Sequence, residues 1–154
     1  MKSNLIFDKA YKAWLADIKA RVRNAQIKAA VKVSTELLDL YWWLGEDIVE
    51  KQKKSKWGEG LIDRLSKDLM AEFFDMKGFS RRNLMYIQKW YLFYGIRKDE
   101  FVQQVVAQIT QIPWGHNIVI ISKCKDSQEA LFYVQNTIKH NWSRSVLVHQ
   151  MESG

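Results

Sequence analysis

The sequence predicts an all-α fold: a helical domain with a long helix pair and a helix-turn-helix unit. Three observations predict it. Apolar residues recur three or four apart along most of the 154 residues. One proline (Pro113) and seven glycines are too few for an all-β or collagen-like chain. Residues that favour helix starts and stops punctuate the apolar stripes. With 47% apolar residues the chain is no disordered tail, and its length suits about one domain.

Phe7, Tyr11, Trp14, Ile18 and Val22 form the first stripe. A second, Ile27, Ala30, Ser34, Leu37, Tyr41, Leu44 and Ile48, predicts one helix from near Asn24 to Lys54. At 1.5 Å per residue it would be on the order of 45 Å long. Such a helix packs against a second chain, against the first helix folded back along it, or both. Trp42 and Trp43 point about 100° apart on a helix, so one is expected in the core and the other against a neighbouring helix. The run Glu50 to Trp57 carries four lysines where this helix should end. It reads as a solvated end or as a phosphate-contacting patch. Residues 1–56 thus form a long N-terminal helical pair. Residues 57–154 hold the helix-turn-helix and the C-terminal helices, the whole expected as one compact domain.

A third helix is predicted from Gly58 to Asp75 on Leu61, Leu65, Leu69 and Phe73, with Ile62 beside them. A short break at Asp75-Met76-Lys77-Gly78 precedes a fourth, from Ser80 to about Tyr94, with Gly95 as its stop. A shorter helix is expected from Asp99 to Gln108, and a turn at Pro113-Trp114-Gly115. The β-branched stretch Ile118 to Cys124 is read as a short buried helix, since a lone strand would have nothing to pair with. Asp126 and Glu129 resemble a capping box that opens a helix to about His140. A last helix starts at Ser143.

Charge narrows the partners. Lys plus Arg total 24 and Asp plus Glu 17, a net +7 with a pI near 9.5. Polyanions are expected, nucleic acid before an anionic membrane surface. One cysteine, Cys124, excludes an internal disulfide and a cysteine zinc cage, and fits a reducing compartment. No signal peptide and no apolar run near the ~20 residues of a bilayer span is present, so a soluble, cytoplasmic protein is expected.

The segment from Leu61 to Tyr94 has the layout of a helix-turn-helix. Gly78 permits a positive φ at the turn. Ser80 can cap the new helix, and Phe79 with Leu84 forms a hydrophobic staple. On the second helix Leu84, Ile87, Tyr91 and Tyr94 fall on the core side. Arg82, Tyr86, Lys89 and Phe93 fall opposite, with Arg81 and Met85 on the flank. A DNA-reading helix sets its first residues against base edges, where Arg bonds guanine and Asn bonds adenine. Two arginines at a helix N-terminus also oppose its dipole, a mismatch that an external anion removes. The candidate DNA-binding residues are therefore Ser80, Arg81, Arg82, Asn83, Tyr86 and Lys89. Secondary phosphate candidates are Arg144 with Lys53, Lys54 and Lys56. The pattern Phe79-Ser80-Arg81-Arg82-Asn83-Leu84 is echoed by Trp142-Ser143-Arg144-Ser145-Val146-Leu147: aromatic, Ser, Arg, two residues, Leu. Either any good helix start looks this way, or two related hairpins each offer an arginine.

Tyr41-Trp42-Trp43-Leu44-Gly45 with Ile48, Trp57-Gly58, and Gly78 through Leu84 resemble the N-terminal domain of the bacterial YhcG-type proteins. The likeness continues through Pro113-Trp114-Gly115-His116-Asn117, Phe132-Tyr133 and Trp142-Ser143-Arg144 with Leu147 and Gln150, covering about Val31 to Gln150. The resemblance implies a helical domain that binds DNA through a helix-turn-helix, followed in longer relatives by a nuclease domain of the PD-(D/E)XK type. The sequence ends at Gly154, where such relatives continue. Asp17-Ile18-Lys19 and Asp75-Met76-Lys77 have an Asp-x-Lys spacing, but neither lies on an expected strand with a second carboxylate.

No other chemistry stands out. His116, His140 and His149 lack metal-ligand spacing, and no cofactor or metal is expected. His116 reads as a histidine bonding backbone at a helix start, or as a contact to phosphate or a partner. Cys124 suits the core. No activated nucleophile or glycine-rich phosphate loop is visible. The expectation is a DNA-binding domain that targets an associated nuclease and is not itself an enzyme. The alternative is a helical assembly or homodimerisation module.

Overall fold

The computed structural model describes residues 2–29, 35–55, 60–95 and 100–153. They form eight helices and no strand: α1 (Lys2–Ala29), α2 (Thr35–Ser55), α3 (Gly60–Glu72), α4 (Arg81–Tyr94), α5 (Glu100–Ile109), α6 (Trp114–Lys123), α7 (Ser127–His140) and α8 (Arg144–Ser153).

Four of the five residues of the first stripe behave as its spacing predicts: Tyr11, Trp14, Ile18 and Val22 are buried, while Phe7 is half-buried. The single helix expected from Asn24 to Lys54 is corrected. Asn24 through Ala29 belong to α1, and α2 begins at Thr35; Ala30 and Ser34 lie outside the described residues. Apolar spacing carries no mark of this boundary, because the stripe from Ile27 to Ile48 keeps its alternating three- and four-residue spacing straight across it. The two helices are antiparallel. The Trp14 indole donates to the Asp47 carboxylate, and the Arg21 guanidinium lies 4.0 Å above the Trp43 ring. The first helix therefore folds back along the second.

The adjacent tryptophans divide between neighbours. Trp43 meets α1 through Arg21, while Trp42 packs edge-on against Trp90 and Tyr91 of α4, at 5.4 and 5.0 Å. Both stay half-buried. Gly45 makes the α2–α4 approach close. A Cβ there would stand 2.9 Å from the Ile87 carbonyl oxygen and 2.9 Å from the Tyr91 Cβ, inside ordinary contact distance.

Leu61, Ile62, Leu65, Leu69 and Phe73 are buried as predicted. α3 is tied to α1 by polar links. The Tyr11 hydroxyl donates to Asp68 at 2.9 Å, Arg64 pairs with Asp8 at 2.9 Å, and Arg23 and Lys19 both meet Glu72. The stretch from Ile118 is helical, as read, but α6 already starts at Trp114. Trp114 and Gly115 are its first turn rather than a separate turn. At α7, the Asp126 carboxylate accepts from the Glu129 N–H at 2.9 Å, and Glu129 returns the bond to the Lys125 N–H at 3.1 Å. α6 packs on α4 and carries α7 and α8, and α5 lies on α7. One core runs through all of this, from Tyr11 of α1 to Leu147 of α8, so the N-terminal pair and the rest share a single interior.

Candidate nucleic-acid interface

Residues 73–80 join α3 to α4. That connection is longer than the turn of about 3–4 residues in a helix-turn-helix, and longer than the four-residue break expected. Its local devices are those read from the sequence. Gly78 takes φ +118°, and a Cβ on it would run into the Tyr41 hydroxyl. Phe79 and Leu84 are fully buried. Ser80 accepts from the Asn83 N–H at 3.1 Å. α3 meets the start of α4 twice: Asp63 pairs with Arg81 at 2.5 Å, and the Ser66 hydroxyl donates to the Phe79 carbonyl at 2.6 Å. The chief partner of α4 is nonetheless α2.

The exposed face of α4 differs in detail from the expected one. Arg81, Arg82, Met85, Lys89 and Leu92 are exposed, while Tyr86 and Phe93 are half-buried. Arg82 lies beside Tyr86, its guanidinium 5.7 Å from the ring centroid and 3.5 Å from the hydroxyl. Trp90, unassigned in the sequence reading, is fully buried, and its indole donates to Asn117 at 3.3 Å.

Asn83 is tied into the protein at both ends of its side chain. Its side-chain N–H donates to the Gly78 carbonyl at 2.7 Å, and its side-chain oxygen accepts from the Trp114 indole at 2.8 Å. Both ends of the amide are thus engaged within the protein. One N–H and one oxygen lone pair of the amide are left for any further partner. Asn83 fastens the first turn of α4 to the connection before it and to α6.

That fastening gathers parts that the sequence left apart. Trp114 opens α6, so the starts of α4 and α6 lie together. Next to Trp114, a Cβ on Gly115 would stand 3.6 Å from a guanidinium nitrogen of Arg144, at the start of α8. The His116 ring is 2.9 Å from the Trp142 carbonyl, just before that start, which is the backbone-bonding role read for it. Ser143 caps α8, accepting from the Val146 N–H at 3.2 Å. Three helix N-termini are therefore neighbours, and none has an acidic residue in its first turn. By contrast α7 carries Glu129 there. Each start holds the partial positive charge of its unpaired N–H groups, and Arg82 and Arg144 add full charges.

Lys53 and Lys54 are not part of this grouping. Tyr41 of α2 packs against Trp114, ring centroids 4.9 Å apart, whereas the lysines close the other end of α2, roughly 18 Å along at 1.5 Å per residue. Lys54 pairs with Glu50 at 3.6 Å. Lys56 lies outside the described residues. Sequence reasoning missed Tyr41, Trp114 and Asn117 as the parts that hold the grouping. Asn117 is fully buried and donates to the Ile109 carbonyl at 2.9 Å, closing the loop before α6.

Among the described residues no group of three or more His, Cys, Asp and Glu could hold a metal ion, and no helix is long and apolar enough to cross a membrane. Cys124 is buried, and burial pushes its thiol up to about 12. The family model of the DUF1016 N-terminal domain matches residues 17–154. No curated protein and no solved structure matches the chain.

Proposed function

The chain belongs to the DUF1016 N-terminal domain family, the N-terminal domain of YhcG-type proteins, and on that premise we propose that it binds DNA and targets an associated nuclease. It works in the cytoplasm and performs no catalysis itself; the cutting activity resides in another domain or chain.

The observation that carries this reading is the meeting of three helix starts without acidic residues, α4, α6 and α8, with Arg144 beside the start of α6 and Arg82 exposed in the first turn of α4. Unpaired N–H groups and guanidinium groups suit phosphate oxygens. Lys89, one face of α4 further on, extends the charge along the helix. The net +7 supplies the long-range attraction. Arg81 contributes less, because Asp63 already neutralises it.

Duplex-DNA binding over a salt series tests the proposal. Binding should fall with a log–log slope of about −0.9 for each phosphate neutralised. Arg82→Ala with Arg144→Ala should flatten that slope by about two, weakening binding on every sequence alike. Both arginines are exposed, so the helical spectrum should not change. Absent or salt-independent binding would reject the reading.

One observation favours the assembly alternative. Met85 and Leu92 are 49% and 42% exposed on the same face of α4. Self-association through them would appear in sedimentation as a concentration-dependent mass that persists in high salt.

A further inference from the structure

Among the described residues, the most exposed large apolar side chain lies in the connection that leads into α4. Phe74 is 87% exposed. It is not on a slack loop. Its neighbour Phe73 is buried against Phe79, ring centroids 6.2 Å apart, and the Phe73 N–H still bonds the Leu69 carbonyl at 2.8 Å. The Met76 N–H then bonds the Phe73 carbonyl at 3.0 Å. That bond closes a four-residue turn with Phe74 at its first corner. The ring is thus held out by a fixed backbone.

Its surroundings are cationic and apolar. Met70, about one turn earlier on α3, is 49% exposed. The Ser66 hydroxyl lies 3.5 Å from the Met70 sulfur and 2.6 Å from the Phe79 carbonyl, which brings this patch to the start of α4. Lys67, one turn before Met70 on α3, and Lys77, in the same connection as Phe74, are exposed. Of the nearby acids, Glu72 is held by Lys19 and Arg23, and Asp63 by Arg81; Asp75 remains in the turn itself. An occupant should therefore be anionic at its rim and flat and apolar at its centre. A base step between two phosphate backbones has that chemistry, and apolar side chains do enter base steps as wedges.

We propose that Phe74 is a wedge that enters a base step of bound duplex DNA, with Lys67 and Lys77 on the flanking phosphates. This rests on the DNA-binding reading above and adds a deformation of the DNA to it. The wedge unstacks one step and kinks the duplex, and the apolar contact adds affinity that salt does not screen.

The test uses duplexes carrying 2-aminopurine, whose fluorescence rises on unstacking, with wild type, Phe74→Ala and Phe74→Leu. Wild type should raise the fluorescence. Phe74→Ala should abolish the rise and weaken binding by about tenfold, with the salt slope unchanged. Phe74→Leu should keep a rise, since leucine also acts as a wedge. The ring is almost wholly exposed, so both variants should fold. If wild type binds DNA and Phe74→Ala binds equally, or the fluorescence never rises, the wedge is wrong while DNA binding stands. If wild type binds no DNA, both readings fall. Loss of a protein–protein contact in Phe74→Ala without change on DNA would likewise overturn the wedge, and assign the ring to assembly.

Discussion

The starts of α4 and α8 share a sequence pattern and differ in what their side chains reach. Ser80 and Ser143 cap alike, at 3.1 and 3.2 Å, and Leu84 and Leu147 are both fully buried. Both arginines after the cap are exposed. The likeness ends there. Phe79 is fully buried, whereas Trp142 is half-buried and stacks on His140. Asn83 is bonded to Gly78 and to Trp114, whereas Val146, at the same place in the pattern, is 41% exposed. The same local grammar thus opens a helix that is riveted into the interior and one that rests on its surface. Cap chemistry is a property of a few neighbouring residues. The depth of a helix start is set by whatever else packs there.

The sharpest way to break the comparison is at the aromatic. Phe79→Ala should destabilise by about 3–5 kcal/mol, because it opens a cavity beneath α3 and α4. Trp142→Ala should cost about 1–2 kcal/mol, since part of that ring already meets solvent. Urea unfolding of both variants measures the gap. Equal losses would mean that α8 is as deeply anchored as α4.

The next difference lies at the third residue after the cap. Asn83→Ala leaves the Trp114 indole N–H and the Gly78 carbonyl without partners, at a cost of about 2–3 kcal/mol. Val146→Ala should stay within about 0.5 kcal/mol. An Asn83→Ala variant that kept its melting temperature but changed base preference on DNA would return Asn83 to the reading surface.

This asparagine also marks what the sequence could disclose. The start of α4 was legible because Gly78, Phe79, Ser80 and Leu84 lie within seven residues and each acts on its neighbours. The fold class and most helix bounds were legible for the same reason. The partner of Asn83 is Trp114, 31 residues away, and no local pattern points to it. The residue therefore read as a free base-binding amide. Trp90 and Asn117 were missed likewise, their bond spanning 27 residues. The boundary between α1 and α2 escaped for the opposite reason. There the local signal was present but continuous, and the contacts of Trp14 with Asp47 and of Arg21 with Trp43 reveal the reversal. The grouping of Arg82 with Arg144 needed both kinds of knowledge. Each arginine was visible after its cap, but the placing of both helix starts against α6 depends on Asn83 and Arg144 reaching Trp114 and Gly115.

The smallest effect separates a cap from an anion seat. Ser80→Ala and Ser143→Ala should each cost about 1 kcal/mol, and by similar amounts, because the lost bond is the same. Asp in place of either serine is as good a cap and complements the helix dipole. Ser80→Asp and Ser143→Asp should therefore match wild type within about 0.5 kcal/mol in urea unfolding. On DNA the two chemistries diverge. A carboxylate at the start of α4 or α8 fills the positive end where a phosphate would sit, so both aspartate variants should bind DNA more weakly than the alanine variants despite their greater stability. The opposite order would leave these helix starts with a structural task alone, and would move the contact with DNA along α4 toward Lys89.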